Sequence, residues 1–115
     1  MNSSVENMKT TLDAVCGKWK AVILLELVKQ PLRFSEFKRV IPRIPHQTLI
    51  KHLKELEEDG LVNKEVSDDI PPKVQYSLTE YGHSLKTLLH TMEEWGRNHG
   101  IRSEKLLMQK NERVH

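Results

Sequence analysis

Hydrophobic positions recur along this chain with two different periods, and the change of period divides it. Trp19, Val22, Ile23, Leu24, Leu25, Leu27 and Val28 are apolar almost all round a helical wheel. That predicts a helix central to the core, ended by Pro31. Ser35 is placed to N-cap a short helix over 36–41 that Pro42 closes, and Pro42 and Pro45 bracket a turn of Arg43-Ile44. A longer helix is predicted over 45–59. Pro45 suits its first position, where the missing N–H has no partner in any case. Leu49, Leu53 and Leu56 recur at i, i+4 and i+7, and Gly60 supplies a left-handed stop.

Beyond Gly60 the period falls to two. Residues 61–66 and 74–78 read as short strands, joined by a long loop over 67–73 that Pro71-Pro72 stiffen. Thr79 is placed to cap a last long helix whose stripe Tyr81, Leu85, Leu88, Leu89, Met92 and Trp95 keeps helical spacing, with interruptions at Gly96 and Gly100. The tail beyond carries Ile101, Leu106, Leu107, Met108 and Val114, with little of its own domain left to cover. Three helices, two strands and a helix make the order of a winged helix-turn-helix. The expected fold is therefore α+β, mainly α, in a single domain over 1–115, with a wing of two or three strands and a long C-terminal helix.

Charge sharpens this order. The formal net charge is only +2, with 37% hydrophobic and 30% charged residues, enough for a thin core that invites burial against a partner. Between 29 and 54, however, seven Lys/Arg meet one acid, Glu36, a net +6, while between 55 and 69 seven acids meet one Lys64, a net −6. A basic third centred on the turn and the 45–59 helix suits a polyanionic partner. On that helix Gln47, Lys51 and Lys54 fall opposite the leucines with Ile50 beside them. Lys suits phosphate or guanine edges, Gln suits adenine, and Ile50 suits a thymine methyl. His46 and Thr48 lie at the helix start, where a phosphate is favoured. Arg33, Ser35, Lys38 and Arg43, with Lys73 on the wing, complete the set expected to contact double-stranded DNA. Asp68-Asp69 argue against deep insertion of the wing into the minor groove. The alternative is a winged-helix module that binds an acidic protein and no operator; the location of the charge favours DNA.

Lys18-Trp19, Arg33-Phe34-Ser35-Glu36-Phe37, the runs 53–62 and 71–79, Gly82 and Trp95 together resemble the HxlR-type regulators, a bacterial winged-helix group related to MarR regulators, over residues 10–97. The resemblance implies a homodimeric transcription factor that binds a palindromic operator and pairs through its N- and C-terminal helices. A repressor is the expected role. Residues 98–115 are then a C-terminal extension serving dimerisation, and Leu12, Leu88, Met92 and Trp95 are the expected seam. The chain departs from the family at Glu6, which occupies the usual place of a redox-sensing cysteine. Cys16 replaces the first of two glycines that commonly precede Lys-Trp, and Pro45 stands where many relatives carry a serine N-cap.

Cys16 is the one cysteine, which excludes an internal disulfide and suits a cytoplasmic chain. It is the candidate redox residue, because Lys18, Lys20 and a helix start at Gly17 would favour its thiolate. Leu12 and Val15 nevertheless suggest that it lies close to packed surface, so an inert thiol is expected, with a small-molecule or electrophile effector acting by another route. The stripe Leu85 to Trp95 fits core or dimer seam better than a ligand pocket. His46 and His52 are six apart and His83 and His90 seven apart, with no third ligand, so no metal site is expected. With no Gly-rich phosphate loop and no nucleophile elbow, neither catalysis nor a cofactor is expected. No run long enough to span a membrane occurs, and residues 1–9 are too polar for a signal peptide.

Overall fold

Ser3 starts the first helix of the computed structural model, which describes residues 3–114. Its hydroxyl accepts the Glu6 N–H at 3.1 Å, and the Glu6 carboxylate accepts the Ser3 N–H at 3.4 Å. This reciprocal pair satisfies two amides that a helix start leaves open, and it opens α1 (Ser4–Val15). Gly17, at φ +98°, turns the chain. Helix α2 (Lys20–Lys29) follows and buries Ile23, Leu24 and Leu27, with Trp19 as its N-cap. No helix starts at Gly17.

Next come β1 (Leu32–Arg33), α3 (Phe34–Val40), α4 (His46–Glu58), β2 (Val62–Val66), β3 (Val74–Leu78), α5 (Glu80–His83) and α6 (Lys86–Val114). The wing has three antiparallel strands in the order β1-β3-β2, with Leu32 opposite Tyr76 and Val62 opposite Leu78. Ser35 does not cap α3. The helix begins at Phe34, and the Glu36 carboxylate reaches back to accept the Arg33 N–H at 2.8 Å. Pro45 is likewise not the first helical residue of α4. It sits at the N-cap with ψ 140°, and no side chain caps that helix.

Leu49, Leu53 and Leu56 are all buried, packed with Phe37, Ile23, Leu24 and Leu27. The Phe37 and Tyr76 rings meet edge to face at 6.0 Å. Helix α4 ends as its sequence predicts: Gly60 takes φ +74°, its N–H donates to the Glu57 carbonyl at 3.0 Å, and the Leu61 N–H donates to the Leu56 carbonyl at 3.0 Å. Both bonds satisfy carbonyls that the helix end would orphan.

Thr79 then ties three elements together. Its hydroxyl donates to the Gly60 carbonyl at 2.6 Å and accepts the Gly82 N–H at 2.8 Å. Gly82 needs to be glycine, since a Cβ there would stand 2.1 Å from the Leu61 carbonyl oxygen.

Thr79 caps only the four-residue α5, not the long helix. The Ser84 and Leu85 amides donate to the Tyr81 and Gly82 carbonyls, each at 3.1 Å, which tightens the turn before α6 begins. Tyr81 is therefore outside the stripe and 67% exposed. Gly96 and Gly100 do not interrupt α6, which runs unbroken for 29 residues, about 43 Å at 1.5 Å per residue. The radius of gyration, 17.9 Å, exceeds the roughly 13 Å expected of a compact chain of this length. Most of α6 lies outside the core: Leu89 is its one buried apolar residue among those whose burial is described.

Candidate nucleic-acid interface

Helix α4 presents Gln47, Ile50, Lys51 and Lys54 on one exposed face, spaced i, i+3, i+4 and i+7. Its opposite face is the buried leucine row, so the packing of the core fixes which side chains point outward. His46 is exposed at the helix start, edge to face with Phe34 at 5.6 Å, and Thr48 is half-buried behind it. With proline at the N-cap and no acid in the first turn, the first amides of α4 have neither a side-chain cap nor a negative neighbour. That leaves the positive end of the helix dipole open to an anion.

The turn before α4 is held from α3. The Lys38 ammonium donates to the Ile44 carbonyl at 3.0 Å, so this cation is partly committed to the turn. Arg43 and Ser35 are exposed beside it in sequence. Arg33 and Lys73 line one concavity of about 280 Å³ at the loop end of the wing, together with Ser67, Gln75 and the acids Glu65 and Asp69. Ser67 closes the wing loop, its N–H donating to the Lys73 carbonyl and its hydroxyl accepting the Lys73 N–H, both at 2.9 Å. At the loop tip Ile70 is 98% exposed. An isoleucine isolated between Asp68-Asp69 and Pro71-Pro72 is its signal in the sequence.

A second feature absent from the expected site lies behind the helix. Lys20 is buried, and its ammonium is 2.6 Å from the Glu55 carboxylate of α4. His52 lies on the same side, its Nδ1 4.0 Å from that carboxylate and without a hydrogen-bond partner among the described residues. Burial is the main cause holding the His52 imidazole below its usual pKa, against the pull of Glu55. The Lys20 hydrogen bond is the main cause holding the Glu55 carboxyl below its own. The network pins the rotation of α4 against α2.

Cys16 differs from expectation. It is exposed, just past the end of α1, its N–H donating to the Leu12 carbonyl at 2.7 Å. Of the two lysines near it in sequence, Lys20 pairs with Glu55 and Lys18 lies over the Trp19 ring at 5.2 Å.

The expected seam residues are exposed apolar side chains: Leu12 at 44%, Leu88 at 38%, Met92 at 39% and Trp95 at 66%. The stripe that holds Leu88, Met92 and Trp95 splits, because Leu85 and Leu89 pack on the core while those three do not. Among the described residues no three His, Cys, Asp or Glu gather as a metal site, and no helix is long and apolar enough to cross a membrane.

Comparison with known proteins accounts for this arrangement. A family model described as HxlR-like helix-turn-helix matches residues 14–104. The HTH-type transcriptional regulator YdeP of Bacillus subtilis is 42% identical over 99 residues, covering 86% of this chain and 77% of that protein. YtcD of the same organism is 47% identical, covering 85% and 75%. Among solved structures, the redox regulator HypR in its reduced form superposes with a TM-score of 0.80 at 40% identity, over 86% of this chain and 98% of that one. These proteins are regulators, not enzymes. The chain is a helix-turn-helix transcriptional regulator and belongs to the HxlR-like family.

Proposed function

We propose that this protein represses transcription as a cytoplasmic homodimer, with α4 in the major groove of a palindromic operator and the wing loop 67–73 on the flanking backbone. The exposed face of Gln47, Ile50, Lys51 and Lys54 carries the reading. It offers two cations, an amide and an apolar side chain at groove-reading spacing, beside an uncapped helix start. Arg33 and Lys73 supply backbone contacts from the wing. Pairing follows from the apolar side chains of α1 and α6 that the chain itself leaves in water. Two copies related by a two-fold axis cover them and set the two α4 helices about 34 Å apart, one turn of DNA.

Titrating the purified protein against the DNA flanking its own coding region, and against random duplex, tests this. Affinity should fall with salt at a log–log slope of about −0.9 per neutralised phosphate, and Lys51→Glu or Lys54→Glu should abolish binding while the fold survives. Retained affinity in both folded variants removes α4 from the interface, and indifference to all duplex favours the protein-binding module. In this reading the exposed Cys16 has no sensing role. Rapid oxidation of Cys16 coupled to loss of DNA binding, and prevented by Cys16→Ser, would make it the sensor instead.

A further inference from the structure

A cavity of about 460 Å³ lies where the end of α1, the end of α4 and α5 meet. Val15, Leu61 and Leu85 give it an apolar wall, Tyr81 an aromatic one, and Asp13 and Asp59 bring two carboxylates. No Lys, Arg or His lines it among the described residues. The backbone adds to the same sign. Asp13 stands in the last turn of α1 and Asp59 is the C-cap of α4, and neither helix has a basic residue in its last turn. A helix C-terminus carries about half a negative charge, which proteins commonly offset with Lys or Arg. Here two such ends, each with an added acid, converge on one hollow that Thr10, Thr11 and Ser84 line with hydroxyls and that holds no counter-charge among the described residues.

We propose that this cavity binds an organic cation, an amine on an aromatic or aliphatic body, with the ammonium between Asp13 and Asp59 and the body against Tyr81 and the aliphatic wall. Volume, shape and chemistry agree: a hollow of this size suits a small molecule, its charge excludes carboxylates, and an aromatic ring favours a cation over a neutral group. The site joins α1 to the C-terminal end of α4, so occupancy reaches the DNA-binding geometry. That coupling rests on the function proposed above, whereas binding itself does not.

The full-length protein without DNA provides the test. Calorimetric titration with naphthylmethylammonium, naphthalenemethanol and naphthylacetate separates charge from apolar burial at nearly constant shape. The amine should bind once per chain, the alcohol more weakly, and the acid not at all. Asp13→Asn with Asp59→Asn should weaken the amine by about tenfold per carboxylate and leave the alcohol unchanged, with the circular dichroism of the wild type as the check on folding. Thr10→Trp, which fills the cavity from an exposed position of α1, should remove both ligands. Equal binding of the acid, or an amine affinity unaffected by either variant, overturns the proposal. Amine binding by a protein that ignores duplex DNA sustains this site and rejects the proposed function alone.

Discussion

The half of the molecule proposed to face DNA and the half that carries α1 and α6 are completed to different degrees. In α3, α4 and the hairpin, Phe37, Leu49 and Leu56 are 0% exposed. The apolar residues left outside there, such as Ile50 and Ile70, stand singly. On α1 and α6 they stand in rows: Val5, Met8 and Leu12 on one helix, and Leu88, Met92, Trp95, Ile101 and Leu106 to Met108 on the other. One half turns the cations of α4 to solvent on a single face, which suits a polyanion. The other leaves its apolar rows in water. The same 115 residues thus hold a folded reading head and an unfinished core.

Phe37→Ala breaks the closed half and should have the largest effect, a loss of about 3–5 kcal/mol, equal at low and high protein concentration in denaturant titrations. Gly82→Ala attacks the joint between the halves, where the new Cβ meets the Leu61 carbonyl oxygen. A loss of about 2–4 kcal/mol is expected, with weaker DNA binding because the α4 end and the wing root both move. Trp95→Ala tests the open half. The dimer should weaken by about 2 kcal/mol, visible in sedimentation as concentration-dependent dissociation, while the packing of Phe37 and the leucines persists. An unchanged dimer would move the seam elsewhere on the rows.

The smallest effect is one of pH, at the Lys20–Glu55–His52 network. Burial keeps the His52 imidazole below its usual 6.5. Below that value the unfolded chain takes up a proton that the folded one resists, and stability declines on acidification. The slope is roughly 1 kcal/mol per pH unit at most. His52→Gln should remove this decline and leave a second one below the usual 4.5 of a carboxyl, where protonation of Glu55 breaks its bond to Lys20. An unchanged upper decline in that variant would assign it to another group.

The reading head was legible because its signals are local. Leu49, Leu53, Leu56 and Gly60 state a helix face and its end within one element, and the period-two runs state the hairpin. The arms were less legible. Ser3 with Glu6 is a capping signature, but the apolar row behind it, Val5, Met8 and Leu12, stays exposed and only Val15 reaches the core, so no packed face marks the helix. Gly96 and Gly100 each weaken a helix by about 1 kcal/mol relative to alanine, yet Arg97 pairs with Glu93 at 2.9 Å one turn back, and no left-handed residue ends the run. The break came instead at Ser84, and its cause is the close approach of Gly82 to Leu61, a tertiary contact that no window of sequence contains. The wing's third strand was hidden for the same reason, since two residues become a strand only by pairing with Tyr76 and Gln75. Of the candidate site, the α4 face was legible from its wheel, whereas the Lys20–Glu55 pair joins residues too far apart in the chain to be matched by eye.

Cys16 gives the wild-type chain a use that owes nothing to redox chemistry. It is the one thiol in the sequence, exposed, at the joint where Gly17 turns α1 toward α2. A maleimide spin label therefore attaches at one point without any engineered mutation. In a symmetric pair the two labels are equivalent, so their dipolar coupling reports a single distance between the α1–α2 joints. Read before and after adding operator or naphthylmethylammonium, that one distance is a ruler for how far the reading heads move.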